Sequence, residues 1–254
     1  MTSQVDALQP WMDLDIPLEQ LAELDFLPET DTEWCAILPR VWRDRDEATL
    51  REMLSHAKKL GVTAVLIGNI GHLPLVRGLE FSLYGDYGLN VFNARSLDYL
   101  RGKGLDSACV SFELRFAQIR DMQKILPAEA IVYGRLPLMI TENCLVQNCT
   151  GCREDRSGCT VPENGLCQKT YTLQDRTSAA FPMTGVYGHR TEIQNSRVLW
   201  LADRNDYKRL GLAYARLRFT TESPAECAAV LKAYRIGTKA PAEFTRGLYE
   251  RGVE

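Results

Sequence analysis

The chain has 254 residues, 45% of them hydrophobic and 25% charged, a balance that excludes collagen-like, disordered and coiled-coil proteins and suffices for one large core or two small ones. No apolar run approaches the ~20 residues of a membrane span, and the N-terminus lacks the basic-then-apolar pattern of a signal peptide, so a cytoplasmic protein with no membrane partner is expected. The formal net charge of -3 is uneven: residues 1–34 hold nine acidic residues and no Lys or Arg, leaving a mildly basic body that permits an anionic partner such as RNA without demanding one.

After this acidic lead (1–34), short β-branched or apolar runs alternate with stretches of helical spacing. The runs are 35–38 (CAIL), 63–67 (TAVLI), 80–84 (EFSLY), 109–112 (CVSF) and 131–133 (IVY). Between them, 46–60 places Leu50, Leu54 and Leu60 along one helical face, and 96–103 and 114–125 complete further helices. Strands and helices alternating in units of about 20 to 30 residues predict parallel βα repeats over 35–136, an α/β fold. Five such units are too few to close an eight-stranded barrel, so the sheet is either open or part of a larger fold.

Each run ends on polar or turn residues: Arg40, Asn69, Asp86, Glu113 and Arg135. In parallel α/β folds the carboxyl ends of the strands share one functional mouth. The recurrence therefore predicts a polar ring, although any single Gly or Asp there is also what a turn uses.

Over 137–194 the alternation stops. This segment is rich in Cys, Gly, Thr, Asn and Asp, and its short apolar stretches suit small antiparallel strands around a metal rather than a hydrophobic core. From 195 to 254 the pattern is again α/β: two strand-like stretches (VLWLAD and LAYARLRF), then a helix start at Ser223 with Pro224 in the first position and Glu226 closing a capping box, then a polar-aromatic tail.

Five of the eight cysteines fall within 24 residues: Cys144, Cys149, Cys152, Cys159 and Cys167, with four, two, six and seven residues between them. Clustered thiols in a chain without an export signal point to metal rather than disulfides. A Zn ion and an iron-sulfur cluster both accept such a shell, and spacing alone leaves the two open. The scattered Cys35, Cys109 and Cys227 fit buried small hydrophobes. His189 follows the cluster and is a candidate to complete a Cys3His shell, while His72 sits after a strand end in a rim or capping position. HExxH, GxSxG, P-loop and GxGxxG patterns do not occur in the sequence.

The motifs GRLPLMITENC (134–144), LQDRTSAAFP (173–182), EIQNSRVLWLADR (192–204) and FTRGLYERG (244–252) are similar to those of the collagenase-like peptidase family U32. LPR (38–40), LIGNIG (66–71), GDYGLNVFN (85–93) and SFEL (111–114) match the same family. The resemblance implies a TIM-barrel-like α/β domain with a Cys-bearing insertion, here a partial barrel over 35–136 with the metal-binding module over 137–194. The family carries a peptidase label, and its better-studied members are iron-sulfur proteins that support oxygen-independent hydroxylation of RNA or of a quinone ring, with four cysteines holding a 4Fe-4S cluster. Carried over to this chain, the ligands are Cys144, Cys152 and Cys167. Where the family has its fourth Cys this chain has His189, so His189, Cys159 or Cys149 completes the shell, or the site holds Zn instead. The family's typical chain begins with a further half-barrel, which makes a second chain supplying that half an expected partner.

Three functions follow as alternatives: an iron-sulfur enzyme acting on RNA or a small aromatic substrate, a collagenase-like peptidase acting on protein, and a structural Zn or RNA-binding assembly module. For the module, the excess of Arg and Lys between 186 and 220 would be the RNA footprint. The residues expected to carry catalysis are Asp86, Glu113 and Arg135. Asn90, Arg40 and Arg246 are expected to contact substrate, and Cys144, Cys152, Cys159 and Cys167, with Cys149 or His189 as alternatives, to hold the metal.

Overall fold

The computed structural model describes residues 13–29, 31–150 and 171–253. Six strands, β1 (Leu14–Pro17), β2 (Trp34–Ile37), β3 (Ala64–Ile67), β4 (Ser82–Gly85), β5 (Ser107–Cys109) and β6 (Ala128–Gly134), pair in chain order, each parallel to the next. The chain then leaves this sheet to build a four-stranded antiparallel one from β7 (Pro137–Thr141), β8 (Tyr171–Gln174), β9 (Ala180–Val186) and β10 (Arg190–Gln194), in the order β7-β10-β9-β8. It returns as β11 (Val198–Trp200), antiparallel to β6, and β12 (Tyr214–Arg218), parallel to β6, while β13 (Phe244–Thr245) pairs with β11. The helices are α1 (Leu18–Leu21), α2 (Glu47–Lys59), α3 (Leu73–Val76), α4 (Ala94–Gly102), α5 (Phe116–Asp121), α6 (Leu145–Thr150) and α7 (Pro224–Ile236).

Alternation along the parallel strands sorts their side chains onto two faces. On the outer face, Ala36, Leu38, Val65 and Ile67 pack with Leu50, Leu54 and Ala57 of α2. Those three recur at helical spacing, and each fully buried Leu contributes about 1.5–3 kcal/mol. Leu97 and Leu100 of α4 and Ile119 of α5 pack in the same way with Ala108, Val110, Ala128 and Ala130. The inner face carries a small apolar patch of Cys35, Ala64 and Leu66 beside Ile37 and Tyr84, and otherwise polar groups. The sheet curls around that face, because Arg216 on β12 reaches Asp15 on β1 across 3.4 Å.

The structure departs from the sequence expectation in three places. Within the acidic lead, Leu14 and Ile16 alternate with exposed Asp15, and Leu18 and Leu21 are buried behind them, so this segment supplies the first strand and a helical turn. The run 109–112 pairs earlier than expected, over Ser107–Cys109, and Val110 beyond it forms an isolated bridge with Val91 while still donating to the Glu129 carbonyl. The antiparallel module also has a buried strand of its own, since every residue of β10 is buried. The α7 start is as the sequence predicts: the Ser223 hydroxyl accepts from the Glu226 amide and the Glu226 carboxylate accepts from the Ser223 amide.

Gly134 marks where β6 passes into β7 and where β12 approaches most closely. Its φ is +121°, and a Cβ there would sit 2.1 Å from the Arg218 carbonyl oxygen. Relief would need the β6–β12 ladder itself to move. Gly134→Ala is therefore expected to cost about 3 kcal/mol or more, read as a lowered urea midpoint at unchanged slope.

Candidate functional site

The antiparallel sheet continues straight from β6, so it lies over the carboxyl ends of the parallel strands. Beneath it is a cavity of about 620 Å³, walled by the inner face of the parallel sheet and roofed by residues of β7, β9 and β10 such as Ile140, Thr184, Glu192 and Gln194. Seven carboxylates and four guanidinium groups line it.

Its floor is organised by Arg216. The Arg216 guanidinium donates to both oxygens of Glu129 on β6 (2.7 and 2.5 Å) and to Asp86 just after β4 (2.6 Å), and stands 3.4 Å from Asp15 on β1. One cation therefore serves three carboxylates. Burial alone would lower the Arg216 pKa, but Glu129, Asp15 and Asp86 outweigh it and hold the guanidinium well above its ordinary range. Glu129 is pushed above the usual carboxylate range by burial, against the pull of Arg216.

At the mouth, Arg40 lies over the Tyr87 ring at 5.4 Å and donates to its hydroxyl at 3.4 Å, while Arg218 stands 5.9 Å from the same ring. Burial, with Glu192 next, pushes the Tyr87 phenol up to about 12. Arg218 also donates to the Arg135 carbonyl (2.8 Å) and pairs with Glu192 (2.5 Å), which ties the roof to the wall. The Gly-Asp-Tyr-Gly turn is a packing requirement as well as a source of side chains. A Cβ on Gly88 would meet the Gly68 carbonyl at 2.5 Å and the Arg40 side chain at 3.1 Å.

Of the residues singled out from the sequence, Asp86 and Arg40 come together in this cavity. Five others are placed outside its lining. Glu113 sits half-buried in the turn after β5, its amide donating to the Ser111 hydroxyl. Asn90 occupies a left-handed position (φ 55°) closing the turn after Tyr87, with its side-chain oxygen 3.5 Å from the Ser111 hydroxyl. Arg135 spends its guanidinium on the carbonyls of Asn195 and Ser196, fixing the turn into β11. Arg246 holds Asp203 with two 2.7 Å bonds and donates to the Trp200 carbonyl, which pins the tail to β11. Asn69 accepts from the Gly71 amide in a local cap. The basic residues of 186–220 do not form one free face, since Arg190, Arg204, Arg216 and Arg218 are all ion-paired. Sequence reasoning passed over Asp15, Glu129, Glu192 and Gln194. The signal that could have found Glu129 is a lone acid inside the otherwise apolar strand AEAIVYG.

Cys144 lies just past β7 and is buried. The Thr191 hydroxyl brackets it, donating to the Asn143 carbonyl (3.1 Å) and accepting from the Leu145 amide (3.2 Å), and the Gln147 amide donates to the Cys144 sulfur at 3.4 Å. Glu142 beside it pairs with Arg190 and Arg43. Cys152, Cys159, Cys167 and the Cys149 side chain lie outside the described residues. His189 sits in the β9–β10 turn with φ 59°. Among the described residues, no three His, Cys, Asp or Glu side chains are grouped to hold a metal ion, and no helix is long and apolar enough to cross a membrane.

His72 is fully buried at 0% exposure, its Nε2 donating to the Pro39 carbonyl at 3.1 Å, and its Nδ1 has no hydrogen-bond partner. Burial lowers its pKa to about 4. The thiols of Cys35 and Cys109 are pushed up by burial, which keeps them protonated and poor as nucleophiles.

The family model described as Peptidase family U32 matches residues 15–244 of the chain. No curated protein and no solved structure matches it.

Replacing Arg216 by Met leaves three carboxylates around an apolar side chain. The expected loss is about 3–5 kcal/mol at pH 8. The variant's deficit relative to the parent shrinks at pH 5, because burial already raises the Glu129 pKa and loss of the pull of Arg216 raises it further. Urea melts of both proteins at the two pH values measure this. His72 works in the opposite direction. Its folded pKa lies below that of the unfolded chain, so its contribution is complete above about pH 6.5 and is lost as pH falls toward 4, a change of about 3 kcal/mol. His72→Gln keeps a donor for the Pro39 carbonyl and should flatten that acid limb of the stability curve.

Proposed function

Since the chain belongs to peptidase family U32, we propose that it is an iron-sulfur enzyme of that family whose active site is the cavity floored by Arg216, working on a small group that a larger or aromatic substrate inserts there. The observation that carries this reading is the attachment of Cys144 to the sheet that roofs the cavity, four residues beyond the lining residue Ile140. The donor set fits such a cluster. Five thiols lie within 24 residues, and the described one is buried and accepts a backbone N–H at sulfur, the kind of hydrogen bond that tunes cluster thiolates.

Cys144, Cys152 and Cys167 would hold the cluster, with Cys159, Cys149 or His189 at the remaining position. When bound, the cluster would supply one-electron chemistry for oxygen-independent hydroxylation. The chain's own residues do the rest. The 620 Å³ cavity has the size of a small-ligand site. Arg216 keeps Asp15, Asp86 and Glu129 gathered at its floor, with both oxygens of Glu129 accepting from the guanidinium. Arg40 and Arg218 fix Tyr87 at the mouth. The five-thiol segment fits a reducing compartment, the cytoplasm. For the peptidase reading, hydrolysis needs an activated nucleophile, whereas burial also raises the Cys227 thiol, to about 11.

Anaerobic purification should give a brown protein with about four irons and matching acid-labile sulfide per chain. Cys144→Ser, Cys152→Ser and Cys167→Ser should each lose most of the iron. Of Cys159→Ser, Cys149→Ser and His189→Ala, the one that also loses it identifies the remaining ligand. A colourless protein with a single zinc overturns the reading, and gelatin cleavage that survives Cys144→Ser removes Cys144 as a peptidase nucleophile.

A further inference from the structure

The hydrogen-bonding capacity of the cavity is lopsided. Three of the four guanidinium groups that line it are ion-paired: Arg216 with three carboxylates; Arg218, which also donates to the Arg135 carbonyl, with Glu192; and Arg190, which also donates to the carbonyls of Val41 and Tyr187, with Glu142. The fourth, Arg40, sits at the mouth against Tyr87. The acceptors are in surplus. Asp15, Asp86 and Glu129 share a single cation, so this end of the cavity carries more negative than positive charge.

A second observation, on the roof, points the same way. Gln194 is 1% exposed and lines the cavity. Its amide nitrogen donates to the Thr184 hydroxyl (3.2 Å) and to Glu192 (3.4 Å), which fixes the orientation of the amide, because a carboxylate demands the N–H side. The opposite atom, Oε1, is buried with no hydrogen-bond partner. A buried acceptor without a donor costs about 1–3 kcal/mol, and it is satisfied by a ligand that brings N–H groups.

We propose that the cavity recognises a cationic, N–H-rich group, the guanidinium or ammonium end of a substrate side chain. The acceptors would be Asp15 and the Asp86–Glu129 pair at the floor and Gln194 Oε1 at the roof. The proposal rests on the reading of this cavity as the active site and specifies what enters it. The same surplus of carboxylates disfavours a nucleotide, whose phosphates would meet uncompensated negative charge.

The test is calorimetry on the full-length protein, both cluster-loaded and cluster-free, with agmatine as the cationic probe, carbamoylputrescine as its neutral counterpart and guanosine monophosphate as the nucleotide. Agmatine is expected to bind about tenfold or more tightly than carbamoylputrescine, the factor for a charge-assisted hydrogen bond. Asp15→Asn, on the exposed edge strand, and Gln194→Leu should each reduce that ratio, a readout that simple loss of folded protein does not change. Equal binding of the neutral probe, preference for the nucleotide, no agmatine binding, or an unchanged ratio in both variants overturns the proposal. Agmatine binding to a protein that never takes up iron leaves this inference standing and removes the cluster. A loaded cluster with no agmatine binding does the reverse.

Discussion

The buried Arg216 guanidinium is the constraint on which the interior depends. Three strands far apart in sequence each bring a carboxylate to it: Asp15 from β1, Asp86 from the end of β4 and Glu129 from β6. Neither of the buried acids, Asp86 and Glu129, would be tolerated on the inner face of a sheet without a cation, and the cation would not be tolerated without them. The pairing also joins the first and last strands of the parallel run, so the curl of the sheet and the charge of the cavity have a common cause. Replacing such a cluster with apolar side chains often costs little stability. Here the cluster stands at the base of a cavity and sets its charge.

The second sheet converts that interior into an enclosed site. It starts at Gly134, where the absent Cβ lets the Arg218 carbonyl come close, and its buried strand β10 faces both ways. Glu192 and Gln194 line the cavity, while Thr191 and Arg190 fix the turn that presents Cys144. The thiol-bearing segment and the cavity are thus linked through one strand. Displacing β10 would disturb both, which ties the EIQNS stretch of this chain to more than any single contact.

Much of the scaffold was legible from the chain. The parallel strands announce themselves as short apolar runs because both of their faces are covered, and α2 and α7 announce themselves by helical spacing and by a capping box. The acidic lead hid its strand, since charged neighbours obscured the alternation of Leu14 and Ile16. The turn residues were harder to sort. Asp86 and Arg40 face the cavity, whereas Glu113, Asn90, Arg135 and Arg246 serve turns and backbone carbonyls, a difference set by which way a turn points its side chain.

By itself, then, the sequence determined the α/β alternation and its break into an antiparallel module, because periodicity and turn chemistry are local properties. Only the tertiary structure decided which acids meet. Asp15, Asp86 and Glu129 lie on three different strands, and the residue that unites them, Arg216, stands 87 positions beyond Glu129. Long-range electrostatic matching of this kind leaves no local pattern, since each partner alone looks like an ordinary charged residue beside an apolar run.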